Sequence, residues 1–271
     1  MLVSDELMLD SVIQLLHGSK DGMPEPFEFV KILTYLDKSD SPIVKENIMM
    51  VELLFYNYIR HDVNLRHFQL FYGILHNPST MLELIKLAWL PDNEQAKEIR
   101  KNEFAKNKNL SSIAKIALEI LHGLEAQPCE NNNGVVNGQD LKKYAKELLE
   151  AAKSEYLERP AMYVIGKLLG NINLGEDYPP PYLGEILEEL DKDEIDDEYR
   201  RQLFNRHGFT CRAYNEGGTI ERKREKKFLS YAEKTRFTYD RITIVFEKLA
   251  SEYHHMGDRE DVNAKLEDLD N

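Results

Sequence analysis

"SSIAKIALEILHGL", residues 111–124, carries isoleucine, alanine or leucine at 113, 116, 117, 120, 121 and 124. Steps of three and four residues put those side chains on one stripe of a helix with 3.6 residues per turn. The same rhythm returns on both sides. Leu141, Tyr144, Ala145, Leu148 and Ala152 form a second stripe, Leu183, Ile186, Leu187 and Leu190 a third, and Ile242, Val245, Phe246, Leu249 and Tyr253 a fourth. Residues 43–59 are apolar almost all round, the pattern of a centrally buried helix. Pro24, Pro42, Pro78 and Pro160 stand near the starts of periodic runs, where a missing N–H costs nothing, and Gly18, Gly123 and Gly170 stand near the ends. The expected fold is all-α, an irregular array of antiparallel helical hairpins, either solenoid-like or a multi-helix bundle. No repeat period of the tetratricopeptide, ankyrin or HEAT kind aligns.

Two stretches interrupt the helical pattern, "QPCENNNGVVNG" at 127–138 and "NINLGEDYPPP" at 171–181. Both are short, and the helices beside them carry stripes that need partners. A single helical domain over 1–271 is expected, with 127–138 as the candidate internal boundary. The one plausible extended piece is "FTCRAY" at 209–214.

The chain has 271 residues, 42% hydrophobic and 31% charged, enough to bury a core without a metal or disulfide. Cys129 and Cys211, its two cysteines, lie far apart in loop-like segments and form no C-x-x-C motif, so a reducing, cytoplasmic compartment is expected. The N-terminal stretch is acidic rather than basic-then-apolar, which argues against a secretory signal. "IMMVELLFYNYI", residues 48–59, meets charge well before the roughly 20 residues a bilayer span needs, so no membrane partner is expected. A formal net charge of −13 repels polyanions at long range. The charge is uneven. Residues 185–198 are intensely acidic, and 200–227 carry nine Lys or Arg against three Glu. The two runs are expected to meet within the molecule as complementary surfaces.

The usual catalytic signatures are absent: no H-E-x-x-H, G-x-S-x-G, Walker loop or G-x-G-x-x-G occurs. His61-Asp62 is a bare His-Asp dipeptide of the sort that helical metal phosphohydrolases use, without the further donors such a site needs. His254 and Asp258, four apart, share a helix face and lack a third ligand. No catalytic, cofactor-binding or metal-binding residue, and no cofactor, is therefore assigned. Dense aromatics at Phe55, Tyr56, Tyr58, Phe68, Phe71 and Tyr72 read as core.

What stands out is "NRHGFTCRAYNEGGTIER", residues 205–222. Gly217-Gly218 supplies the positive φ that a tight turn into a helix often needs. Thr219 is placed to cap a helix starting at Ile220. A Walker loop needs Lys-Ser or Lys-Thr after its last glycine, whereas Glu221 here puts a carboxylate in the first turn. The segment reads as a structural corner, with Arg206 and Arg212 expected to hold Glu216 or Glu221. Arg212, Arg222, Lys223, Arg224, Lys226 and Lys227 are the residues a nucleic-acid surface would use.

Asn205, Arg206, Gly208, Thr210, Arg212, Glu216, Gly217, Gly218, Glu221 and Arg222 give an Asn-Arg-x-Gly, Thr-x-Arg, Glu-Gly-Gly, Glu-Arg order. That order resembles the C-terminal all-helical end of long, functionally unassigned bacterial proteins. Softer similarity reaches upstream through "YVIGKLLGNI" at 163–172, so the resemblance spans about residues 80–270. It implies a C-terminal helical module and no particular activity. The chain is shorter than those proteins and reads either as a stand-alone protein or as a piece of a longer one. The expected function is a non-enzymatic protein-interaction or scaffolding module of a bacterial cytoplasmic protein, with a protein as partner. The alternatives are a nucleic-acid-contacting component using 200–227 and, more remotely, a metal-dependent phosphohydrolase.

Overall fold

A computed structural model describes residues 5–17, 25–60, 68–131, 134–176, 178–206 and 217–269. Among the described residues the protein is all helical, and the only sheet-like pairing is one isolated bridge between Glu130 and Val136. No described helix is long and apolar enough to cross a membrane. The chain separates into two compact units, 1–124 with 147–161 and 125–146 with 162–271.

The first unit holds α1 (Asp5–His17), α2 (Pro26–Leu36), α3 (Pro42–Leu54), α4 (Tyr56–Ile59), α5 (Gln69–His76), α6 (Pro78–Ala88), α7 (Glu94–Lys106) and α8 (Lys108–Gly123). Proline fills the first helical position of α2, α3 and α6. Asparagine caps three starts: Asn77 accepts from Ser79 N–H at 2.9 Å, Asn93 from Ala96 at 3.0 Å and Asn107 from Asn109 at 3.0 Å. Each side-chain oxygen satisfies a donor the helix cannot, worth about 1 kcal/mol. Val44, Ile48 and Val51 of α3 make a buried stripe, and α3 packs on α1, α5 and α8. Ala117, Ile120, Leu121 and Leu124 are buried, so the stripe of α8 faces this core. Residues 43–59 depart from the expected single buried helix. α3 stops at Phe55, whose buried ring sits 4.1 Å from that of Phe29, and Ile43 and Met50 stay open at 50% and 48% exposure.

α9 (Gly138–Ser154) and α10 (Glu158–Gly170) contribute residues to both units. The second unit continues with α11 (Pro181–Leu190), α12 (Asp193–Asn205), α13 (Thr219–Thr235) and α14 (Asp240–Leu269). α13 and α14 form an antiparallel hairpin: Gly218 lies on Gly257, Phe228 stacks on Tyr253 at 5.7 Å, and the hydroxyls of Thr235 and Thr243 meet at 2.7 Å. Phe204, Tyr231 and Phe246 complete an aromatic core whose ring pairs lie 5.4–6.1 Å apart. Large apolar side chains buried in this way contribute roughly 1.5–3 kcal/mol each. α10 meets α12 at two glycines. A Cβ on Gly166 would stand 2.7 Å from the Ile195 carbonyl oxygen, and one on Gly170 would stand 2.5 Å from Gln202.

Candidate functional site

Gly217 has φ +58°, the left-handed region that glycine enters without steric cost. Gly218 is the N-cap of α13, and a Cβ there would lie 2.4 Å from the Gly257 carbonyl oxygen, so the pair joins a turn to a close backbone crossing. Helix α13 starts at Thr219, and among the described residues no side chain caps it, in place of the expected Thr219 cap on a helix from Ile220. The Gly218 N–H instead donates to Asp261 of α14 at 2.7 Å. That bond, followed by Arg222, holds the Asp261 carboxyl below its ordinary range.

Arg222 carries most of the remaining polar contacts of this corner. Its guanidinium bonds Asp258, reaches Asp261 at 3.2 Å and Glu225 at 3.3 Å, and lies 3.0 Å from His254 Nδ1. The bond from Arg222 draws the Asp258 carboxyl down as well. A cation surrounded by three carboxylates is locked in place, and the N–H at the helix start already has a carboxylate from its own chain.

Arg206 departs from its expected role. It donates to the carbonyls of Gly170 at 3.0 Å and Ile172 at 2.7 Å, closing the end of α10 rather than binding a glutamate of the corner. Glu221 is fully buried, and the Arg224 guanidinium sits 5.6 Å from the Tyr253 ring centre. Gly208, Thr210, Cys211, Arg212 and Glu216, with the extended piece 209–214, lie outside the described residues. So do His61 and Asp62, and among the described residues no group of three His, Cys, Asp or Glu is placed to hold a metal ion.

The acidic run finds other partners than the basic stretch 222–227. Glu189 pairs with Lys142 and Lys146, and Arg241 of α14 spans Asp191, Asp193 and Asp196, the last two at 2.8 Å. Burial pushes the Asp196 carboxyl up to about 6 against the pull of Arg241. Of residues 200–227, Arg200 and Arg201 share in these pairs, with Asp197 and Glu198.

The first unit carries a feature that periodicity did not disclose. Met49, Met50 and Leu53 of α3, Leu70 of α5 and Leu84 and Leu87 of α6 line an open groove of about 260 Å³, with Ser79, Thr80 and Glu83 at its polar side. Gly73 of α5 lets the walls come close: a Cβ there would meet Thr80 Cγ2 at 3.0 Å and Met49 Sδ at 3.4 Å. Below the groove, Glu52 is fully buried and accepts the Leu70 N–H at 2.7 Å and the Gln69 N–H at 3.3 Å, filling the start of α5. Burial, helped by neighbouring Asp37, pushes the Glu52 carboxyl up to about 8. The sequence signal for the groove was there in residues 43–59. An all-round apolar helix must be covered on every side or leave a sticky face.

Comparisons of the chain with protein-family models, with curated proteins and with solved structures found no match.

Proposed function

We propose that the chain is a non-enzymatic, helical protein-interaction module working in the bacterial cytoplasm, with another protein as its partner. The observation that carries this reading is the apolar groove left open between α3, α5 and α6, lined by Met50 among others, with Ile43 of α3 and Tyr72 of α5 (55% exposed) also open on these helices. Exposed apolar patches flanked by polar residues favour association with other macromolecules. The cysteine usage supports a reducing compartment, and the resemblance of residues 205–222 supports a bacterial source.

The nucleic-acid reading draws less support. Arg222 is held by carboxylates and Arg224 lies over an aromatic ring, which leaves fewer cations of that stretch to meet phosphates.

Selection from a displayed library of natural protein segments tests the proposal. Segments that bind the full chain saturably, and are displaced by the same segment unlabelled, are expected. A library that yields none above background would overturn it.

A further inference from the structure

Resting on the protein-interaction reading, we propose that the groove between α3 and α6 takes an amphipathic α-helix that inserts unbranched aliphatic side chains and carries lysine or arginine on its flanks. Peptides are recognised in a few ways, each needing its own kind of surface. Strand addition needs a free sheet edge, and these walls are helices whose backbone groups are already bonded. Polyproline segments need aromatic slots, and among the described residues no aromatic side chain lines this groove. Phosphorylated and acidic motifs need clustered arginines, and no described basic residue lines it either. An apolar trough between helices suits the apolar face of another helix.

Size points the same way. About 260 Å³ falls below the roughly 300–1,000 Å³ of sites that enclose drug-sized molecules, so it suits a few anchor side chains of something larger. Met49 and Met50 form the wall where an incoming chain would press, and flexible thioethers adapt to flat or irregular aliphatic surfaces.

Charge sets the flanks. Among the described residues Glu83 is the one charged lining residue, 68% exposed although Lys86 approaches it at 3.0 Å. Glu46, also exposed, lies three and four residues before Met49 and Met50 on the same face of α3, while Lys45, four before Met49, is already paired with Asp40 at 3.1 Å. The two glutamates would face a cation on the partner, and the net charge of −13 favours a basic partner over an acidic one.

The test uses fluorescence anisotropy with four labelled peptides of about 18 residues, long enough to form a helix. One has leucine and methionine anchors at i, i+4 and i+7 with lysine flanks, a second the same anchors with glutamate flanks, a third a central proline, and the fourth a scrambled order. The lysine-flanked peptide alone is expected to bind the full chain tightly. Met50→Lys, at an exposed position, and Thr80→Trp, which fills the groove, should each weaken it by about tenfold or more with the circular dichroism spectrum kept. Glu83→Lys should shift preference toward the glutamate-flanked peptide.

Binding to the two groove variants as tight as to the parent, or a proline peptide that binds the parent as well as the lysine-flanked one, overturns the inference. A glutamate-flanked peptide that binds the parent as well as the lysine-flanked one does so too. Self-association that Met50→Lys abolishes would make the occupant a second copy and also overturn it. If library segments bind while these peptides do not, this inference falls and the protein-interaction reading stands. If neither binds, both fall.

Discussion

Glu52 shows how one residue sets a pH response. The Leu70 and Gln69 N–H groups favour its carboxylate, whereas burial and Asp37 favour the acid, and the acid wins, since the group titrates at about 8. In the unfolded chain a glutamate titrates near 4.3. The folded state therefore holds this proton more tightly. Its stabilising contribution is full below about pH 4 and is lost as pH rises through about 8. One pKa unit corresponds to about 1.4 kcal/mol, so stability should fall by about 2–4 kcal/mol between pH 5 and pH 8.5. Glu52→Gln, whose amide oxygen can still accept the Leu70 N–H, should flatten much of that slope. Urea unfolding followed by Trp89, the only tryptophan, at the end of α6 in the same unit, reads this directly. Parallel pH slopes in parent and variant would contradict the account. The glycine corner yields a second prediction. Gly217→Ala forces a left-handed residue at a cost of about 1–2 kcal/mol. Gly218→Ala drives a Cβ into the backbone of Gly257, which cannot swing aside, so its melting temperature should fall further. Phosphate and ATP should leave both melting temperatures unchanged, because Asp261 holds the Gly218 N–H. A phosphate-induced rise in the parent that Gly218→Ala loses while keeping its fold would make the corner an anion site.

At the scale of elements, α10 and α12 test what close packing demands. Gly166 and Gly170 are one turn apart on α10, and both face α12. Alanine is better than glycine inside a free helix by about 1 kcal/mol, so a crossing with room to spare would gain from Gly166→Ala. Here the new Cβ meets the Ile195 carbonyl oxygen at 2.7 Å, and overpacking of this kind costs about 1–3 kcal/mol. A net loss is expected for Gly166→Ala and likewise for Gly170→Ala, whose Cβ would stand 2.5 Å from Cβ and Cγ of Gln202, atoms held beside the α12 backbone. Thermal melts of the two single variants decide it, and a gain for Gly166→Ala would mean the helices have room. Elements also show what the sequence could disclose. The stripe through Ile120 and Leu121 was legible because periodicity is local and that face is buried. Residues 43–59 misled for the complementary reason. Apolarity says that a helix wants cover, but whether a given face finds it depends on helices distant in the chain, and among the described residues none covers Ile43 and Met50. Arg206 was legible as a cation near the corner, but not as the group that closes α10, since its acceptors lie 34 and 36 residues away.

For the whole molecule, charge is the property sequence states most directly and places least well. A net −13 gives a long-range field that repels polyanions, and the basic stretch 222–227 has to work against it. The expected meeting of acidic and basic runs is realised at Arg200 and Arg201, which pair with Asp197 and Glu198, but not at 222–227, because opposite charges pair by proximity in space. Arg241, outside the basic run, sits where α11 and α12 present Asp191, Asp193 and Asp196. The basic stretch meets α14 instead, where Asp258 and Asp261 join Glu225 around Arg222. Lys223, Lys226 and Lys227 remain exposed, yet three lysines on a protein of net charge −13 release few counterions on meeting a nucleic acid. Anisotropy titrations with duplex and single-stranded oligonucleotides at about 0.15 M salt should therefore show no saturable binding, and Lys223→Glu with Lys226→Glu should change nothing. Micromolar binding whose affinity falls steeply with salt, and which that double variant abolishes, would show that the local basic face prevails over the molecular field. The nucleic-acid reading of residues 200–227 would then displace the one proposed.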